Sequence, residues 1–112
     1  MKNVIVYNKL VRDRIPEIIK EQGKLCDVAV LSDEEYLAMV DAKLDEELAE
    51  YHEDQNLEEL ADLLEVLYAA AKARGYSVEE LEATRKAKAA KRGAFEKKLL
   101  LKSVTEGSTT RS

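Results

Sequence analysis

The 112-residue chain has little of what marks many protein classes: one cysteine, one histidine, one proline, four glycines and no tryptophan. A lone Cys26 excludes an intramolecular disulfide and a cysteine-rich metal site. A lone His52 excludes the repeated Glu-x-x-His pattern of a di-iron bundle and reads as a surface residue near a helix end. No apolar run approaches the roughly 18 residues of a membrane-spanning helix. The opening MKNVIVYNKLVRDR meets charge too early for the apolar core of a secretion signal. What is present, 46% apolar and 37% charged residues, is too apolar for a disordered chain. The expectation is a cytoplasmic, helical, non-membrane domain.

The net charge of −5 hides a division along the chain. Positions 33 to 65 hold fourteen acids and one base, Lys43; positions 85 to 102 hold eight bases and one acid, Glu96. Such halves suit solvated helix faces, or a site where acids hold a cation and bases receive an anion. Nucleic acid is disfavoured as a partner, because the acidic half repels a phosphate track.

Local signals divide the chain into short segments and helices. Val4, Ile5, Val6 and Tyr7 predict a short strand or a packed arm. Pro16 sits where a helix tolerates a missing N–H, and Gly23 reads as that helix's C-terminal cap. Residues 25–31 alternate like an extended segment, with Cys26 read as buried packing. Asp13 between Arg12 and Arg14 reads as an ion pair. Ser32 with Glu35 is a capping box, opening a helix whose apolar residues Leu37, Val40, Leu44, Leu48 and Tyr51 keep helical spacing. Residues 54–56 predict a turn, and a further helix runs from Leu57 to about Arg74, closed by Gly75. Ser77 with Glu80 repeats the capping box for a basic helix over about 78–91. Residues 94–101 suggest one more short helical turn. The domain is placed at residues 1–102, and residues 103–112 are expected to be a disordered polar tail.

The helix from Leu57 is apolar on two stripes, one of Leu60, Leu64 and Leu67, the other of Leu63, Val66 and Ala70. A surface helix needs only one such stripe, and a chain this short buries a modest fraction of its surface. The prediction is an all-α helical bundle with a central antiparallel helix hairpin and short extended N-terminal segments. It is expected to be a homodimer or homotetramer.

The candidate chemistry lies in KLDEELAEY and EELADLLE. Glu47 and Glu50 are three apart, as are Glu59 and Asp62, so each pair shares a side of its helix. Folded about residues 54–56, an antiparallel hairpin brings Glu50 level with Glu59 and Glu47 level with Asp62. That packing requires the Leu63–Val66–Ala70 stripe to face the preceding helix. Four carboxylates so placed repel one another unless a cation compensates. All-oxygen ligands suit magnesium or manganese rather than zinc. Magnesium shares its remaining positions with phosphates, so a nucleotide polyphosphate is the fitting partner, with bases of the later helix neutralising its charge. The alternative is a solvated acidic face, on which such pairs are common.

The motifs EExxE, at Glu46, Glu47 and Glu50, and ExxD, at Glu59 and Asp62, resemble those of the all-α nucleoside triphosphate pyrophosphohydrolases of the MazG and phosphoribosyl-ATP pyrophosphohydrolase-like group. YNKLVRDRIPEII, from Tyr7, looks like the N-terminal signature of a house-cleaning branch of that group, and KAKAAKRGAFEKKLLL, from Lys86, is similar to its closing segment. The resemblance implies magnesium-dependent hydrolysis of a nucleoside triphosphate, modified or unwanted, to the monophosphate and pyrophosphate. It implies Glu47, Glu50, Glu59 and Asp62 as metal ligands, with manganese able to replace magnesium. Glu46 would assist, with Glu47 in catalysis, as an outer ligand or in orienting the attacking water. Lys88 and Arg92 would clamp the triphosphate, with Lys9, Arg12 and Arg14 as further candidates. Eight residues separate Glu50 from Glu59, fewer than many members of the group place there. Two other readings are a non-catalytic helical interaction module and a nucleotide-binding relative without turnover.

Overall fold

The computed structural model describes residues 3–107, and among these it has four helices and no strand. They are α1 (Ile15–Glu21), α2 (Asp33–Asp54), α3 (Leu57–Ala73) and α4 (Val78–Arg92). No helix among the described residues is long and apolar enough to cross a membrane.

The helix boundaries follow local chemistry. Pro16 lies in the first turn of α1, where its ring fits and no hydrogen bond is lost. Ser32 opens α2 with both halves of a capping box. The α2–α3 connection is only Gln55 and Asn56, with α2 continuing through Asp54. Gln55 takes the left-handed conformation, φ 50° and ψ 38°, and its N–H reaches Tyr51 O at 2.7 Å. Asn56 then caps α3, its side chain accepting from the Glu59 N–H at 2.9 Å. Gly75, at φ 91°, supplies the left-handed residue that stops the chain after α3. Ser77 and Glu80 exchange reciprocal hydrogen bonds of 3.1 and 3.0 Å at the start of α4.

The chain divides into two compact units, with the boundary between Leu81 and Glu82. In the first, α2 packs on α3. Val40 is fully buried in this unit, which contributes about 1.5 kcal/mol. Leu37 and Leu44 on α2 are half-buried, as are Leu63, Val66 and Ala70 on α3. The other α3 stripe stays open: Leu60, Leu64 and Leu67 are each more than two-fifths exposed, as is Leu48 of α2. Glu59 and Asp62 share the covered side with Leu63 and Val66, the condition under which the two acidic motifs meet.

Several local expectations need correction. Val4, Ile5, Val6 and Tyr7 form neither a strand nor a packed arm; all four are largely exposed. Residues 25–31 have no regular structure, and only Cys26 and Leu31 among them are half-buried. Arg12 and Arg14 do not turn to Asp13 but to Asp62 and Glu17. The helical turn expected over residues 94–101 is absent: Gly93 and Lys98 take positive φ, and Phe95 is 99% exposed. Helices this short do not hold without tertiary packing. Residues 103–107 have no regular structure, and the remainder of the expected tail, residues 108–112, lies outside the described residues.

Candidate metal centre

Successive turns of α2 and the first turn of α3 build the acidic centre. One carboxylate oxygen each from Glu47, Glu50 and Glu59 lie within 4.8 Å of one another. Asp62, expected as the fourth ligand, is instead engaged by Arg12, whose Nη2 donates to Asp62 Oδ1 at 2.6 Å. Glu46 is engaged as well, accepting on Oε1 from Lys9 Nζ and Lys43 Nζ, both at 3.2 Å. Lys43 Nζ also lies 3.3 Å from Glu47 Oε1. Three of the five acids therefore converge, and of these Glu47 also meets Lys43, while Glu46 and Asp62 are engaged by protein cations.

Burial separates the converging acids from an ordinary solvated face. Glu47 is only 6% exposed. Its Oε2 is buried and accepts no hydrogen bond, and the same is true of Glu59 Oε2. A buried carboxylate oxygen without a donor is unfavourable, and a divalent ion is one partner that satisfies two such oxygens at once. The donor set is oxygen only, which fits magnesium or manganese.

The electrostatics agree with the geometry. The Glu50 carboxyl is raised above its ordinary value, first because a proton on it can be shared with Glu47, then by the Glu47 charge, with burial and the charges of Glu59 and Glu46 adding. Burial raises the Glu59 carboxyl, assisted by the charges of Asp54, Asp62, Glu47 and Glu58. At Glu46 burial pushes upward, but the bonds from Lys9 and Lys43 outweigh it and hold the carboxyl below its ordinary value. The Lys9 ammonium is raised by its bond to Glu46 and that residue's charge. The raised carboxyls, Glu50 and Glu59, are among the converging acids, and the lowered Glu46 flanks them.

The basic candidates divide between the units. Lys9 and Arg12 belong to the first and touch acids of the two motifs. Arg14 binds Glu17 at 3.3 Å. Lys88 and Arg92 belong to the second unit, where with Ala83, Thr84, Ala87 and Lys91 they line a shallow, open depression. His52 is exposed, its ring tilted against Tyr51 at 5.8 Å. Cys26 is a free, half-buried thiol with Sγ 4.0 Å from Pro16 O. Lys43 was not singled out from the sequence, although a base three and four residues before Glu46 and Glu47 is a readable helical pairing.

No family model matches the chain. Over 42 residues, 38% of its length, the chain is 60% identical to a protein of Mycolicibacterium smegmatis described only as uncharacterized. The match takes in 43% of that relative, so the aligned part spans less than half of it. No solved structure matches.

Proposed function

We propose that the chain is a magnesium-dependent nucleoside triphosphate pyrophosphohydrolase. The observation that carries this reading is the convergence of Glu47, Glu50 and Glu59 with two buried carboxylate oxygens lacking a donor. In the reaction, a water oxygen bonds to the α-phosphorus and the bond from that phosphorus to the α–β bridging oxygen breaks. The electron pair leaves on pyrophosphate, and the water's proton passes to a base. Glu47, Glu50 and Glu59 would hold a divalent ion, which would supply charge stabilisation on the phosphoryl oxygens. Asp62 would join that set on leaving its Arg12 partner. Glu46, fixed by Lys9 and Lys43, stands beside Glu47 as the group that orients the attacking water. Lys88 and Arg92 are the triphosphate clamp that the motif resemblance implies, with Arg12 as a further candidate.

The MazG-like motifs support this assignment, including a house-cleaning role toward modified or unwanted nucleotides in the cytoplasm. The α2–α3 pair then serves as the central hairpin of a homodimeric or homotetrameric bundle, a reading supported by the open stripe of Leu60, Leu64 and Leu67. The same stripe favours the second reading, a non-catalytic helical interaction module or a nucleotide binder without turnover.

The test is a screen of nucleoside triphosphates and modified analogues with magnesium, scored for the phosphate product. Pyrophosphate release that stops on chelation is expected. Orthophosphate release assigns cleavage to another phosphorus and overturns the reaction. Calorimetry showing no magnesium or manganese binding, with or without nucleotide, removes the centre itself.

A further inference from the structure

Among the fourteen acids of positions 33 to 65, Lys43 is the single base, and its side chain is only 14% exposed. Lysines are seldom so covered unless paired. Its ammonium is shared between Glu46 Oε1 at 3.2 Å and Glu47 Oε1 at 3.3 Å, one helical turn away along α2. Lys9 reaches the same Glu46 oxygen from the N-terminal segment at 3.2 Å. Each of these acids thus has one oxygen committed to an ammonium, and Glu47 keeps its buried Oε2 without a donor.

We propose that Lys43 is the positioning residue of the three-carboxylate centre, holding Glu47 by Oε1 so that Oε2 is presented to the divalent ion. This rests on the metal reading above and specifies how its most buried ligand is oriented. A free glutamate samples several side-chain rotamers and can offer an ion one oxygen or two. With Lys43 on Oε1, Glu47 is left to offer the ion a single oxygen, the buried Oε2 that has no donor. The second bond of the same ammonium ties Glu46 beside it, so one cation fixes both adjacent acids of the motif. Lys43 touches neither ion nor nucleotide in this scheme.

Charge and orientation act in opposite directions here, and that makes the proposal testable. A positive group near a cation site weakens cation binding by repulsion, so removing it tightens binding if charge is all it supplies. If it orients Glu47, removing it weakens binding, as loss of a group supporting a metal ligand does, by about tenfold or more. The experiment is calorimetric titration of the full chain with manganese alone, together with the electron paramagnetic resonance spectrum of the bound ion. Lys43→Met keeps the covered stem and removes the charge; Lys43→Arg keeps the charge. The expected result is at least tenfold weaker binding and an altered spectrum for Lys43→Met, with both restored toward the parent by Lys43→Arg. Lys43→Met binding as tightly as the parent, or more tightly, overturns the proposal while leaving the metal reading intact. A parent that binds no manganese overturns the metal reading and this proposal together. If Lys43→Met does not fold by circular dichroism, Lys43→Gln is read by the same criteria.

Discussion

The acidic and basic stretches carry comparable densities of charge, yet the contacts that cross between elements are made by acids of the acidic stretch. Along α2 and α3, Glu46 is fixed by two lysines, Asp62 by an arginine, and Glu47 is buried with one oxygen free. Along α4, Arg85 pairs with Glu82 one turn away at 3.0 Å, while Lys88, Lys91 and Arg92 are exposed. Surface cations screened by water gain little from a fixed position. Buried carboxylates that repel one another are costly until a ligand compensates them. The comparison teaches that charge density marks a region, whereas covering and partnering single out the residues able to do chemistry within it.

Replacing Glu47 by Gln tests the organised side most severely. It removes the charge of the buried carboxylate while keeping its volume. Manganese binding should be lost and turnover should fall about 1000-fold, roughly 4 kcal/mol of transition-state stabilisation. Calorimetry and pyrophosphate release measure the two effects. Turnover within tenfold of the parent breaks the comparison, because the acidic centre is then no more organised in function than the basic surface.

The basic side should respond more weakly and in a different parameter. Two exposed cations at about 0.7 kcal/mol each amount to about tenfold in binding. Lys88→Ala combined with Arg92→Ala should therefore raise KM for the triphosphate about tenfold. Manganese affinity and kcat should stay near the parent values. Added salt should raise the parent's KM and affect the double variant less, since screening acts on the charges already removed. An equal fall in kcat would place these residues in the reaction rather than in phosphate capture.

The contrast between the regions also explains what could be read from the chain alone. Capping boxes at Ser32 and Ser77, and the stop at Gly75, are three-to-four-residue signals, and each forms as its spacing predicts. Glu50 and Glu59 could be paired because the two-residue connection fixes the register of α2 against α3. Arg12 on Asp62 could not, since fifty residues separate them and no periodicity links an irregular segment to a helix. The apolar run over residues 94–101 has helical composition but lies largely exposed, with Gly93 at φ 84° and Lys98 at φ 59°. Composition alone did not reveal that no partner covers it. Lys43 was legible in principle, being spaced three and four residues before Glu46 and Glu47.

The start of α2, away from the acidic centre, gives the smallest effect and a control for the larger ones. The Ser32 hydroxyl accepts from the Glu35 N–H at 3.2 Å, and Glu35 Oε1 accepts from the Ser32 N–H and hydroxyl at 3.1 and 2.9 Å. Ser32→Ala should cost about 1 kcal/mol, seen in urea unfolding as a lower midpoint with unchanged slope. The bonds from Ser32, the backbone one first, hold the Glu35 carboxyl below its ordinary value. A carboxyl lowered by folding adds stability above its unfolded pKa, and that contribution is lost as pH falls through the lowered folded pKa. The gap between parent and Ser32→Ala should therefore narrow in acid below the ordinary carboxylate range and be widest near neutrality. Manganese affinity should not change, because the box lies at the far end of α2 from Glu47 and Glu50. A cap variant that weakened the metal as Glu47→Gln does would show that both effects report general loosening of α2, and would remove the distinction between an organised centre and the helix that carries it.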